Sequence, residues 1–165
     1  YPPSVFAALP RLLERAGNGA RGGIIGIYTV MVDGDDFNEP VADAARSILD
    51  GHIVLTRRLA SQNHFPSIDV LESKSRVRDH IINDVQRRAG SALLRLEAAY
   101  REKEDLIMVG AYQRGSDAYV DAAILYRDRA LEFLQQRPDE ISHYGDTYMA
   151  LVKIAEAIEA AVVRR

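Results

Sequence analysis

The chain has 165 residues, 47% of them hydrophobic and 27% charged, which suits one to one and a half globular domains and excludes a disordered chain. It contains no cysteine, so disulfides, thiolate metal sites and cysteine nucleophiles are excluded. A net charge of −3, from 21 basic and 24 acidic side chains, leaves no electrostatic footprint for nucleic acid, and no apolar run approaches the ~18 residues of a membrane span.

The chain opens Tyr1-Pro2-Pro3-Ser4, with no initiator Met and no targeting segment, and is expected to be a piece of a longer protein. Val5, Leu9, Leu12 and Leu13 fall at helical spacing, with Ser4 as the expected N-cap and Gly17 as the stop. Gly17-x-Gly19-x-x-Gly22 fits a dinucleotide-loop expression, but such a loop must leave a strand and open a helix. Here it leaves a helix and enters a strand, so it reads as a flexible connector. Ile24 to Val32, IIGIYTVMV, is the pattern of a strand buried on both faces of a parallel sheet. An acidic loop follows, Asp33-Gly34-Asp35-Asp36-Phe37-Asn38-Glu39-Pro40.

Residues 41–49 read as a short helix, 52–55 as a second short strand and 56–63 as another helix. Phe65-Pro66 turns the chain towards a loop holding Ser73-Lys74-Ser75-Arg76. Val85, Ala89, Leu93, Leu96, Tyr100 and Ile107 then mark a long amphipathic helix. Gly110 and Gly115 bracket a loop, and residues 117–136 form a further helix ending near Pro138. The last helix sets Tyr144, Tyr148, Leu151, Ala155, Ile158 and Val162 in one apolar seam. The expected fold class is therefore α/β, with a mixed piece over 1–78 and an all-helical piece over 79–165.

The chemistry-bearing residues are few. None of the three lysines, Lys74, Lys103 and Lys153, follows a glycine, so the chain has no G-x-x-x-x-G-K-[ST] phosphate loop of its own. The four histidines form no H-E-x-x-H pair, and no G-x-S-x-G elbow is present. The carboxylates of 33–40 follow a predicted strand, where ligands and partners gather; solvated turn chemistry explains them equally well. Arg76, flanked by hydroxyls, can fork onto a carboxylate or a phosphate, with a surface salt bridge as the plainer reading. Phe65 is either a core plug or an exposed platform for a base, and the residues alone favour the plug.

Several stretches together resemble one family: YPPSVFAALPRLLERAGN (1–18), YTVMVDGDDFNEPVADAARSILDGHIVLTRRLA (28–60), HFPSIDVLESKSRV (64–77) and DLIMVGAYQRGSD (105–117). They look like the C-terminal part of the flagellar and type III secretion export ATPases, homologues of the catalytic head of rotary ATP synthases. The match runs from Tyr1 to about Gln136. The resemblance implies the C-terminal portion of a RecA-like parallel-sheet core over 1–78 and a helical C-terminal domain over 79–165. The family's phosphate loop, catalytic Glu and Mg²⁺-orienting Asp lie N-terminal to the segment matching Tyr1.

Residue by residue, the resemblance makes Arg76 of S-x-S-R-V an arginine finger reaching a neighbouring subunit's site, where a forked cation offsets charge on the γ-phosphoryl group. Phe65 becomes the aromatic that stacks on adenine, its π-face kept although the tyrosine hydroxyl of relatives is missing. Asp35, Asp36, Asn38 and Glu39 become contacts for a central coiled-coil stalk. ATP and Mg²⁺ are the implied cofactors. The implied partners are other copies in a homo-hexamer, the stalk, a stator-like regulator, and export chaperones with their substrates. The expected location is cytoplasmic, peripheral at the inner-membrane export gate, and nucleic acid is not expected as a partner. The flagellar branch is preferred and the injectisome comes next. The alternatives are an ATP synthase head subunit and a free-standing helical interaction module without catalysis.

Overall fold

The computed structural model describes residues 2–32, 34, 36 and 39–163. The chain divides into two compact units, Tyr1–His52 and Ile53–Arg165.

The first unit begins with α1 (Pro3–Leu13). Its N-cap is Pro2 in extended conformation, with no side-chain cap, so Ser4 falls inside the first turn instead of capping it. Proline suits that start, because its fixed φ is helical and its missing N–H is an orphan anyway. The glycine-rich stretch is a hairpin rather than a loose connector. β1 (Gly17–Gly19) pairs antiparallel with β2 (Gly22–Ile24), in the register Gly17↔Ile24 and Gly19↔Gly22. Gly17 and Gly22 have φ of +149° and +153°, conformations that a side chain would strain.

The predicted strand over 24–32 forms only at its first residue. Residues 25–32 run on without regular structure, with Ile25, Ile27 and Met31 at 92%, 93% and 91% exposure. A strand must borrow its hydrogen bonds from neighbours, and among the described residues none pairs with this run. α2 (Pro40–Ile48) follows, with Glu39 as its cap, and buries Ala42 and Ala45. α1 and α2 pack together. The short β3 (Gly51–His52) closes this unit.

In the second unit, Val54 is buried between exposed Ile53 and Leu55, the alternation of a half-buried strand. Antiparallel bonds tie this segment to residues 67–69: Thr56 N–H donates to the Ser67 carbonyl at 3.0 Å and Asp69 N–H to the Val54 carbonyl at 2.8 Å. Between them lies α3 (Arg57–Ser61), capped by the Thr56 hydroxyl, which accepts from Leu59 N–H. β4 (Lys74–Ser75) and the one-turn α4 (Arg78–Ile81) lead into the three long helices.

These are α5 (Asp84–Met108), α6 (Ala118–Leu134) and α7 (Tyr144–Val163), which pack against one another. Asn83 caps α5 through Gln86 N–H, and Asp117 caps α6 through the N–H groups of Tyr119 and Val120. The core joins Leu93 and Leu96 of α5, Ala122, Ala123 and Ala130 of α6, and Ile158 of α7. Around this cluster pack partly buried large side chains, among them Tyr100, Phe133 and Leu151. Leu96 and Ile158 are wholly enclosed, and burial of such a side chain contributes roughly 1.5–3 kcal/mol. The predicted α7 seam holds at Ala155 and Ile158, both buried, but opens at its start, where Tyr144 is largely exposed. There the Tyr144 hydroxyl donates to Gln86 Oε1 at 3.0 Å, and its ring stacks on Tyr148.

Candidate functional site at the Phe65 turn and the 73–76 loop

α3 ends in a tight reversal. His64 N–H donates to the Leu59 carbonyl, Asn63 takes φ +58°, and the Phe65–Pro66 bond is cis. The reversal throws the Phe65 ring outward at 50% exposure, so it is not the core plug that its residue type favours. Its neighbour His64 turns inward and is buried.

Two bonds hold this turn against the end of α6. Gln136 N–H donates to the Phe65 carbonyl at 2.9 Å. Gln135 Nε2 lies 3.3 Å from His64 Nδ1, an arrangement that suits a neutral ring accepting at Nδ1. Burial lowers the His64 pKa, and the Arg127 charge lowers it further.

The loop carrying Arg76 is anchored from its other end. Asp69 is 3% exposed. Its carboxylate accepts from Arg101 Nη2 at 2.8 and 2.9 Å and from the N–H groups of Leu71 and Glu72. Burial by itself would raise its pKa; the Arg101 hydrogen bond and charge, with those two N–H groups, outweigh it and hold the carboxyl below its ordinary value. The Ser73 hydroxyl donates to the Asp69 carbonyl at 2.7 Å and accepts from Val54 N–H at 3.0 Å. Arg76 follows two residues after β4 begins and is exposed.

A cleft of about 260 Å³ lies behind the Phe65 turn, lined among others by His64, Asp69, Glu97, Arg101, Arg127 and Gln135. Neither Phe65 nor Arg76 lines it. Burial raises the Glu97 pKa, opposed by Arg127 and Arg101 and reinforced by Asp69 and Glu104. The Arg127 guanidinium sits over the Tyr100 ring at 3.9 Å. Sequence reading passes over Asp69, Arg101 and the His64–Gln135 pair. The only local signal is a carboxylate, Asp69, inside the apolar run Ile68–Leu71.

Phe65 and Arg76 thus belong to one compact unit, while Asp36 and Glu39 belong to the other. Glu39 is committed to its own helix, its Oε2 accepting from Ala42 N–H at 3.1 Å. Asp36 is exposed, and its carbonyl accepts from Glu39 N–H. Asp35 and Asn38 lie outside the described residues. As for cofactors, an outward aromatic ring and an exposed guanidinium fit a base and a phosphoryl group. Among the described residues, no three His, Cys, Asp or Glu side chains gather to hold a metal ion. No helix among them is long and apolar enough to cross a membrane.

Comparison with known proteins gives a consistent picture. Residues 1–75 match the nucleotide-binding domain of the ATP synthase alpha/beta family, and residues 82–153 match the T3SS EscN ATPase C-terminal domain. The type 3 secretion system ATPase of Sinorhizobium fredii is 52% identical over 147 residues, 89% of this chain and 33% of that protein. The flagellum-specific ATP synthase of Treponema pallidum is 49% identical over 151 residues, 92% of this chain and 34% of that protein. The chain thus spans about a third of the length of these curated relatives. The assembled ATPase EscN of enteropathogenic E. coli superposes with a TM-score of 0.90 at 46% identity, covering 94% of this chain and 38% of that one. The same ATPase in complex with its central stalk EscO gives 0.85 at 45% identity, over 94% of this chain and 36% of that one. These likenesses carry the α/β class with its helical C-terminal part, and the chain belongs to the type III secretion and flagellar export ATPase family, within the ATP synthase alpha/beta family.

Proposed function

We propose that this chain is the C-terminal part of a hexameric ATPase that powers protein export by hydrolysing ATP at subunit interfaces. Residues 1–78 would complete a nucleotide-binding core, and residues 79–165 would form the domain that meets partners. The observation that carries the reading is Arg76. It sits exposed just beyond β4, on a loop anchored by buried Asp69, in a chain that superposes on an assembled export ATPase. An anchored loop with an exposed arginine suits a site shared between subunits, where the cation must be held in place and reach a neighbouring copy.

In this reading Arg76 offsets charge on the γ-phosphoryl oxygens of ATP held by the neighbouring copy. Phe65, outward and tethered through its carbonyl to Gln136, offers its face to adenine. The phosphate-loop and Mg²⁺ ligands would come from residues N-terminal to Tyr1. The 33–40 loop, with Asp35, Asp36, Asn38 and Glu39, would meet a basic central stalk. The stalk complex of the E. coli relative supports a stalk as partner. A stator-like regulator, chaperones and export substrates complete the proposed partners, at the cytoplasmic side of the membrane export gate. The flagellar machine remains our preferred assignment, with the injectisome next.

The test is Arg76→Ala in the full-length protein. Turnover is expected to fall roughly 10³-fold or more while hexamers still form. An unchanged rate would return Arg76 to the role of a surface salt bridge. The 165-residue chain alone is expected to hydrolyse no ATP.

A further inference from the structure

Gly90 lies well inside α5, where glycine is a poor helix former compared with alanine. The reason for a glycine there is steric. A Cβ at position 90 would stand 2.7 Å from Arg78 Nη2 and 3.8 Å from its Cζ, so the Arg78 guanidinium occupies the space of the missing side chain. One helical step earlier on the same face, Arg87 reaches back to the same short helix. Its Nη2 donates to the Asp79 carbonyl at 3.2 Å, and its Nε lies 3.7 Å from Asp79 Oδ1. The Arg87 guanidinium is itself held by Asp84 through Nη1. α4 is therefore clamped onto α5 at two successive residues, once by a side chain laid into a glycine seat and once by a bond to its main chain.

α4 starts two residues after Arg76. We propose that Arg78 and Arg87 are positioning residues for Arg76, fixing the main chain that carries it to α5 through the Gly90 seat and the Asp79 carbonyl. The proposal rests on the reading of Arg76 given above and names what aims that side chain. The Ser73 hydroxyl, bonded to the Asp69 carbonyl and Val54 N–H, fixes the stem of the loop before Arg76. The clamp fixes it after Arg76, so Arg76 is carried by a main chain held on both sides. Because α5 supplies Leu93 and Leu96 to the bundle core, the placement of Arg76 is referred to the packed core of this unit.

Gly90→Ala separates positioning from folding. The methyl group displaces only the far end of a flexible side chain and improves the helix, so the melting temperature should hold or rise. In the full-length ATPase, kcat is expected to fall about tenfold, as a displaced catalytic group does, with KM for ATP unchanged because Phe65 is untouched. Arg87→Ala should act in the same direction, and Arg87→Lys, which keeps one donor for the Asp79 carbonyl, should recover most of the rate. Unchanged kcat in both Gly90→Ala and Arg87→Ala, beside an inactive Arg76→Ala enzyme, would overturn the positioning role and leave the Arg76 reading standing. A fully active Arg76→Ala enzyme would overturn that reading instead. A fall in kcat that merely tracks lost melting temperature or lost hexamer would also count against positioning.

Discussion

The two compact units handle apolar sequence in opposite ways. The first holds the most continuous apolar run of the chain, Ile24 to Val32, and leaves most of it in water. The second spreads its apolar residues three and four apart and encloses Leu93, Leu96 and Ile158 almost completely. Hydrophobicity alone therefore does not make a core. A helix closes its own main-chain hydrogen bonds and needs only a neighbouring face, whereas a strand also needs partners for every other N–H and C=O. α5, α6 and α7 find one another within this chain; residues 25–32 find no strand among the described residues.

The sharpest way to break this contrast is to truncate one side chain in each region. Leu96→Ala should destabilise the helical unit by about 4 kcal/mol, since the side chain is wholly enclosed in the core of the bundle. Ile27→Ala, removing a side chain that is already solvated, should cost less than about 0.5 kcal/mol in the same 165-residue chain. Urea titration of both variants reads the difference. Comparable losses would mean that the run over 25–32 is packed in solution.

Next in size is the anchor of the Arg76 loop. Asp69→Ala should cost about 3 kcal/mol, because it strips the Arg101 guanidinium and two N–H groups of their common acceptor. The held-down carboxyl gives this anchor a pH signature. Its stabilisation is present above the ordinary carboxylate value of 3.8 and is lost as pH falls through the lower folded value. Thermal melts of wild type and Asp69→Asn between pH 2 and 7 should converge at the acid end. Curves that stay parallel would place the anchor elsewhere.

What the sequence makes legible follows the same physical line. The spans of α5, α6 and α7 can be read from apolar periodicity, because that signal is local; the finger role proposed for Arg76 comes from the family resemblance, since the residues alone favour a surface salt bridge. The outward turn of Phe65 is not legible, since the residue type favours a core plug and the reversal that throws the ring outward leaves no local pattern. Nor is the Asp69–Arg101 pair, whose partners stand 32 positions apart with no pattern linking them. The run over 24–32 misleads for a different reason: its composition records the environment it suits, and the described residues do not supply that environment.

Helix starts sharpen the contrast at a smaller scale. Asp117→Ala should cost about 1 kcal/mol, because Asp117 Oδ1 accepts from two N–H groups at the start of α6. Ser4→Ala should change little, since α1 is entered through Pro2 and carries no side-chain cap. Hydrogen exchange at the first turn of each helix tests the pair. Faster exchange in α1 of Ser4→Ala would restore the serine as a cap.

The smallest effect separates His64 from Phe65 beside it. The buried ring accepts from Gln135 while neutral, and both burial and Arg127 disfavour its charged form, so its folded pKa lies below 6.5. The unfolded chain then binds the proton more readily, and stability is lost as pH falls from about 6.5 towards the folded value. Unfolding in that window should take up at most one proton, and His64→Gln should remove the uptake while keeping a polar group against Gln135. Phe65→Ala, touching only the outward side of the same turn, should leave the pH slope as it was and remove whatever adenine affinity the full-length protein has. If the slope survived His64→Gln, the inward and outward halves of this turn would not be separable, and the proton would belong to another group of the helical unit.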